Sequence, residues 1–314
     1  MIQMKYVGYM FALGTALGLT ATASAISLDI TTADGNGADA SVVGITGTAA
    51  IDSPPNPHTG TGDRSDDNFG SDGILYTHNR NNPSKNQFDN EQIYLRFDLP
   101  NDIGTITDAR LDLYWERPGN SWNWIVSGLN EAANYGAGKL DENWGESAIT
   151  WNNAPANDLD GSHDGNDLDP AFVTELWTDH DSKKWSHTVS VGPDADNAAG
   201  NPTGIANLVS FLNTDSNGLV TLIMRTQDNA FDPTSSRFLS KETTGIDPRD
   251  GQVYGSANHT SGTNSTQLDG MGGDPSANGT FFPLLHIEYT PVPEPASLVL
   301  AGIGGLVLAT RRRM

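Results

Sequence analysis

The sequence contains no cysteine, which excludes disulfides, thiol catalysis and cysteine-ligated zinc. Basic residues are also scarce: 17 Lys and Arg stand against 39 Asp and Glu, giving a formal charge of −22. This balance argues against nucleic acid as a partner, because binding phosphates requires a net basic surface. Long apolar runs are absent from the interior of the chain and occur only near its two ends.

Motifs for common catalytic chemistry are missing as well. The seven histidines are scattered, and no HExxH spacing, GxSxG elbow, Walker loop or dinucleotide fingerprint occurs. Acidic residues are abundant, but a catalytic carboxylate pair is defined by its geometry and not by abundance. We therefore expect no enzymatic activity and no catalytic residues, with a polysaccharide lyase or glycoside hydrolase as the alternative.

The N-terminus has the pattern of a secretory signal peptide over residues 1–25. Lys5 supplies the positive charge, an apolar stretch follows, and Ala23 and Ala25 form an A-x-A cleavage site. Cleavage after Ala25 is predicted, so the mature protein is expected to be exported.

A second apolar run, residues 296–310, lies near the C-terminus. As a helix it would span about 22 Å, which is short for a bilayer core of about 30 Å. The residues that frame this run are Val292, Pro293, Glu294 and Pro295 before it and Arg311, Arg312 and Arg313 after it. This arrangement resembles the PEP-CTERM sorting signal of Gram-negative bacteria.

That resemblance implies a route and a destination. An exosortase and the secretion machinery would be partners during export, with transient inner-membrane association through the C-terminal tail. The destination would be the cell surface or extracellular matrix of a Gram-negative bacterium. Removing both ends takes away four basic residues and one acidic residue, which leaves 13 against 38 and a charge of −25.

The middle of the chain alternates apolar and polar residues with a period of two. In QIYLRFDLP, Ile93, Leu95 and Phe97 face one way and Tyr94 and Arg96 the other. The segments ARLDLYWE, WSHTVSVG, LVTLIMRTQ and LLHIEYT alternate similarly. Each strand then has one apolar face, which predicts an all-β antiparallel sandwich.

One short helix and two long loops complete the prediction. Asn201 is a suitable N-cap, Pro202 suits the first helical position, and apolar residues recur after it at helical spacing. Residues 156–170 are polar and acid-rich, and residues 243–280 are rich in Gly, Ser, Asn and Thr. We interpret both as loops inserted into one domain.

Six segments in sequence order resemble the DNRLRE domain of secreted bacterial proteins: GADASVV, NFGSDGILYTHN, YLRFDLP, ITDARLDLYW, ENWGESAITWNNAP and FLSKE. The resemblance implies a jelly-roll-like sandwich of the carbohydrate-binding-module type, whose first strand is GADASVV. Some relatives bind alginate-type acidic polysaccharides, and the family is not catalytic as such. The predicted organisation is a signal peptide at 1–25, the sandwich at 26–290 and the sorting signal at 291–314.

Three tryptophans are candidates for a sugar platform, because sugars stack on exposed indole faces. Trp122 and Trp124 lie two residues apart and so share a strand face, and Trp115 precedes them across a glycine-containing turn. A cross-strand aromatic cluster is therefore feasible. The alternative is that all three side chains fill the sandwich core.

An acidic cluster, Asp63, Asp66, Asp67 and Asp72, is a candidate calcium site because hard oxygen ligands lie close together in the sequence. Its spacing is not that of an EF-hand. An ordinary solvated turn is the alternative.

We therefore expect a non-catalytic surface or matrix protein that binds extracellular polysaccharide. A purely structural or adhesive matrix component without a defined sugar site is the principal alternative. Binding an acidic polymer would require a local basic patch or bridging Ca²⁺, because the mature chain is itself strongly acidic.

Overall fold

The computed structural model describes residues 24–46, 63–82, 87–117, 123–157, 168–180, 188–190, 202–226, 236–243 and 282–292. Residues Ala25–Val292 form one compact unit. Its strands are β1 Ile26–Thr31, β2 Ala38–Thr46, β3 Ile74–Asn82, β4 Gln87–Asp98, β5 Thr105–Arg117, β6 Asn123–Leu129, β7 Val173–His180, β8 Thr188–Ser190, β9 Leu219–Thr226, β10 Ser236–Leu239 and β11 Leu284–Thr290. The helix within the described residues is α1, Pro202–Leu212.

The strands form two antiparallel sheets. In the first sheet β11 lies between β1 and β5, and β8 and β10 also pair with β5. The second sheet has the order β2-β4-β9-β6-β7. Strand β3 belongs to both, because its first half pairs with β10 and its second half with β4. The predicted all-β sandwich is confirmed.

The core lies between the two sheets and follows from the alternation in the sequence. Ile93, Leu95 and Phe97 of β4 point inward and are fully buried. They meet inward-facing residues of the first sheet such as Leu111 and Ile287. Burying apolar area in this way contributes about 25 cal/mol per Å².

Helix α1 occupies the position that its sequence predicts. Leu208 and Leu212 are buried in the core, while Val209 packs against it from a half-buried position. The helix contacts β5 of the first sheet and β7 of the second. It therefore covers an opening between the sheets. Within the described residues, no helix is long and apolar enough to cross a membrane.

Two expectations about the strands are wrong. The first strand is β1, which pairs with β11, so the segment GADASVV supplies the second strand instead. The expectation of a single apolar face also fails for β4. Tyr94 and Arg96 on its other face are buried too, because a long segment of chain covers that face.

This segment, residues 130–157, is called the cover segment below. It packs its aromatic side chains, including Trp144 and Trp151, on the outer face of the second sheet. The Tyr94 hydroxyl donates to the carbonyl of Pro155 at 3.0 Å, and Trp144 Nε1 donates to the Thr221 hydroxyl at 3.1 Å. The second sheet is therefore sandwiched between the core and a second apolar layer.

Candidate functional site

A buried arginine fixes the middle of the cover segment to the sheet. Arg96 of β4 donates through Nε to the carbonyl of Asn36 at 2.8 Å and through Nη1 to the carbonyl of Trp144. Its guanidinium also lies 5.1 Å from the centre of the Trp144 ring. Burial lowers the pKa of Arg96, and the charge of Glu146 opposes that effect.

Beside this arginine, four charged residues from three separate segments meet at the edge of the second sheet. Asp39 belongs to β2, Glu146 to the cover segment, and Lys241 and Glu242 to the turn after β10. Oε1 of Glu146 accepts the backbone N–H of Asp39 at 2.7 Å, which satisfies a donor that the edge strand would otherwise leave open. The Lys241 ammonium contacts Glu146 at 2.7 Å and Glu242 at 2.6 Å.

The Asp39 carboxyl is the most deeply buried member of this carboxylate cluster. Its Oδ2 accepts hydrogen bonds from the Thr32 hydroxyl at 2.5 Å and from the Lys241 N–H at 3.1 Å. Burial raises the pKa of Asp39 to about 8; the hydrogen bond from Thr32 opposes this rise, and the charge of Glu242 adds to it. Without a further cation, the cluster therefore favours a protonated Asp39.

The three carboxylates converge closely enough to hold a metal ion. One oxygen each of Asp39, Glu146 and Glu242 lies within 4.8 Å of the other two. Within the part of the chain that the structure describes, this is the one group of three His, Asp or Glu side chains so arranged. Sequence reasoning missed it, since the three residues lie far apart in the chain.

One sequence signal could have pointed to Asp39. In ADASVVG it occupies a position in the interior of an apolar strand, where a charged side chain needs a partner. Glu146 lies in the ENWGESAITWNNAP segment, for which the family resemblance implies structure and not chemistry. The sequence carries no local sign that Glu242 joins them.

A second feature is an open depression of about 230 Å³ between the end of β6 and the end of α1. Its lining residues are Leu129, Asn130, Glu131, Phe211, Thr214, Asp215 and Leu219. The half-buried Phe211 ring lies against the backbone of Gly128, where an added Cβ would come within 2.4 Å of the ring. A glycine is therefore required for this ring to sit where it does.

Two carboxyls of the depression have pKa values that are shifted in opposite directions, lowered for Glu131 and raised for Asp215. Glu131 accepts from the Ser216 N–H at 2.5 Å and from its hydroxyl at 2.7 Å, and the backbone bond from Ser216 is the main cause of the lowered pKa of Glu131. Burial raises the pKa of Asp215 to about 6, against a hydrogen bond from the Gly218 N–H and with the charge of Glu131 adding to the rise. The pair therefore shares a proton that sits on Asp215 at mildly acidic pH.

The structure removes one tryptophan from the predicted sugar platform. The Trp124 side chain is 2% exposed and packs edge-on against Phe238, with ring centres 5.7 Å apart. An indole without an exposed face cannot stack on a sugar, so the structure contradicts a sugar-binding role for Trp124 and supports the core alternative.

The strands that carry Trp115 and Trp124 do not pair with each other directly in the described part of the chain. Strand β5, which carries Trp115, lies in the first sheet, and β6, which carries Trp124, pairs with β7 and β9 in the second. The backbone of Trp115 pairs with Phe238 instead. The side chain of Trp115 and the whole of Trp122 lie outside the described residues.

The predicted calcium ligands near residue 66 do not come together. Asp67 pairs with Arg64 at 2.6 Å, Asp66 accepts from the Asn152 amide at 2.7 Å, and Asp63 accepts the N–H of Ser65 at 3.0 Å. Asp72 is half-buried and does not join them in a three-carboxylate group. These contacts fit a turn that fastens the cover segment better than they fit a metal site.

The remaining predicted positions belong to the two ends of the chain. Val292 is exposed at the end of the described residues. Residues 1–23 and 293–314, with the predicted cleavage and sorting residues apart from Ala25 and Val292, lie outside them, as do most of the two predicted loops, 156–170 and 243–280.

Residues 56–167 match the model of carbohydrate-binding module family 96, about a third of the chain, and residues 291–313 match the PEP-CTERM protein-sorting motif. These two matches support a carbohydrate-binding module with a C-terminal sorting signal, and the sorting motif indicates export and implies processing by an exosortase. No curated protein is significantly similar to the chain.

Proposed function

We propose that the chain is a non-catalytic exported protein that binds extracellular polysaccharide at the surface or in the matrix of a Gram-negative bacterium. The observation that carries this proposal is the match of residues 56–167 to a carbohydrate-binding family. That range includes β3 to β6 and the cover segment, which hold much of the second sheet. The sorting motif supports the location.

The depression beside Phe211 is the best candidate contact surface for a sugar. It combines a half-buried aromatic ring with the carboxyls of Glu131 and Asp215 and the hydroxyl of Thr214. Aromatic faces stack on the apolar side of a sugar ring, and carboxylates accept hydrogen bonds from its hydroxyls. Its volume of about 230 Å³ suits a small group such as one sugar unit of a longer polymer.

The charge of the site favours a neutral polysaccharide. Glu131 keeps its negative charge because its pKa is lowered. Among the residues that the structure describes, no lysine or arginine lines the depression, and the whole chain carries −22. A uronic-acid polymer would be repelled by both the site and the surface around it.

The same carboxyl pair supports binding without catalysis. The Glu131 carboxyl lies close enough to Asp215 to help raise its pKa, whereas a glycosidase separates its two carboxyls by about 5 Å or more to admit the sugar. Glu131 is further committed to the turn that contains Ser216 and Asn217. The shifted pKa values of Glu131 and Asp215 are therefore explained by the local structure of this turn.

A purely structural or adhesive role is the second candidate, and one observation favours it. The large hydrophobic side chains that are clearly exposed among the described residues are Ile26 and Val292, and neither is aromatic. A module that recognises flat polysaccharide surfaces usually presents exposed rings.

Affinity electrophoresis of the full chain against a panel of neutral and uronic-acid polysaccharides separates these candidates. We expect retardation by a neutral polymer and none by an acidic one. Glu131→Gln should weaken binding about tenfold, because one charge-assisted hydrogen bond is lost. Glu288→Gln on β11, outside the depression, is the matched control. A chain that no polysaccharide retards would favour the structural role.

A further inference from the structure

The carboxylate cluster of Asp39, Glu146 and Glu242 contains two oxygens whose bonding is incomplete. Oδ1 of Asp39 and Oε2 of Glu242 are both buried and have no hydrogen-bond partner. Asp39 exposes none of its surface, so water from bulk solvent does not reach this oxygen. Leaving a buried polar oxygen without a partner costs stability, so an unsatisfied oxygen in a native fold indicates a missing ligand.

The surrounding cations do not supply the missing partner. Lys241 uses its ammonium on Oε2 of Glu146 and Oε1 of Glu242, which are different oxygens. Arg96 directs its hydrogen bonds to backbone carbonyls. Two carboxylates therefore share one ammonium, and the two oxygens without a partner belong to a group of three carboxyls that offer one oxygen each within 4.8 Å of the others.

The donor set selects the kind of ligand. It consists of carboxylate oxygens without histidine or cysteine, which hard cations prefer and which zinc and copper do not need. The oxygens come from a strand, a long loop and a turn, so the separation between them can adjust to a large ion. Ca²⁺ tolerates such irregular geometry, whereas Mg²⁺ demands a near-ideal octahedron.

We propose that Asp39, Glu146 and Glu242 bind one Ca²⁺ ion. The ion links the edge of β2, the cover segment and the turn after β10, three elements that are far apart in the sequence. Its role is to fasten the cover segment to the sandwich. In a secreted chain without cysteine, this link does the work that a disulfide does in other secreted domains.

The test is calcium binding by the full chain after removal of metal with a chelator. Calorimetric titration should give one Ca²⁺ per chain, and the melting temperature should rise with the logarithm of the calcium concentration. Asp39→Asn, which keeps the shape of the side chain, should abolish the calcium-dependent rise. Glu242→Gln, at a less buried position, should also abolish the calcium-dependent rise. It provides the test if Asp39→Asn does not fold.

The double variant Asp66→Asn, Asp67→Asn is the matched control, because it removes two acidic residues of the sequence-predicted site and none of the cluster. It should keep both the stoichiometry and the rise in melting temperature. Absence of binding by the wild-type chain would overturn the proposal, as would a rise that survives Asp39→Asn and Glu242→Gln or disappears in the control. These results do not depend on whether the chain binds a polysaccharide.

Discussion

At the scale of single residues, the tryptophans show how position in the fold decides between two uses of one side chain. Trp124, Trp144 and Trp151 are all fully buried. Trp124 lies in the core between the sheets, while the other two belong to the cover segment and pack on the outer face of the second sheet. Tryptophan stacks on sugars when its indole is exposed, but here the three buried indoles fill the apolar interior.

Trp124→Ala tests this assignment. Removing a buried indole that also contacts Phe238 leaves a large cavity, and the free energy of unfolding should fall by about 3–5 kcal/mol. Urea denaturation of the wild-type and variant chains measures the difference. The exposed Val292→Ala should change it by less than about 0.5 kcal/mol. A Trp124→Ala variant of unchanged stability would show that the indole is not in the core.

The Asp215 carboxyl gives the fold a dependence on pH. Its pKa is about 6 in the folded chain against an ordinary value of 3.8, so the folded state holds a proton that the unfolded state releases. The stabilisation is fully present below pH 3.8 and is lost as the pH rises through about 6. Asp215→Asn should therefore lose less stability over that interval than the wild-type chain does.

Unfolding curves at several pH values between 3.8 and 6 measure this effect. Thr214→Ala, the non-titrating neighbour in the same depression, should shift the stability equally at every pH. If Asp215→Asn and the wild-type chain give parallel pH profiles, then Asp215 does not carry the proton.

At the scale of elements, the cover segment distinguishes this sandwich from a simple two-layer one. Gly44 on β2 is required for the close approach of the segment, because an added Cβ would lie 2.4 Å from the Trp151 ring. No real Cβ tolerates such a distance, so either the strand or the segment would have to move.

Gly44→Ala should therefore destabilise the fold by about 1–3 kcal/mol through overpacking. Gly145→Ala, inside the cover segment itself, is the matched control, since its nearest neighbour would be the Ala148 Cβ at 4.0 Å. Thermal melts of both variants compare the two effects. Equal melting temperatures for Gly44→Ala and the control would contradict close packing of Trp151 on β2.

Local patterns predicted the elements well and their surroundings poorly. The alternation in β4, β5, β9 and β11 and the spacing in α1 each identify the correct element. Alternation reports which residues share a face, but it does not report what covers that face. The burial of Tyr94 and Arg96 depends on a segment about 40 to 60 residues away, for which the sequence has no local signal.

The candidate sites were predicted less well for a related reason. Proximity in sequence suggested Asp63 to Asp72 as ligands, but the fold assigns these residues to separate contacts in a turn. The carboxylates that do converge, Asp39, Glu146 and Glu242, are separated by about 100 residues each. Ligand convergence of this kind is set by the topology and not by spacing.

At the scale of the whole molecule, the two ends of the chain are expected to direct its export and then be removed. Residues 291–313 match the model of the sorting motif, while the signal peptide at residues 1–25 stays a prediction. Intact-mass analysis of protein extracted from the cell surface should show the loss of residues 1–25 and of the apolar tail. A mass that retains both ends would contradict processing.

The central claim is that the sandwich binds a polysaccharide and does not cleave it. Isothermal titration of the full chain with the neutral polysaccharide that retards it most, followed by reducing-end analysis of the same sample, tests both halves together. We predict saturable binding, an unchanged number of reducing ends, and weaker binding for Glu131→Gln than for Glu288→Gln. The absence of saturable binding, or new reducing ends that accumulate with time, would contradict the account.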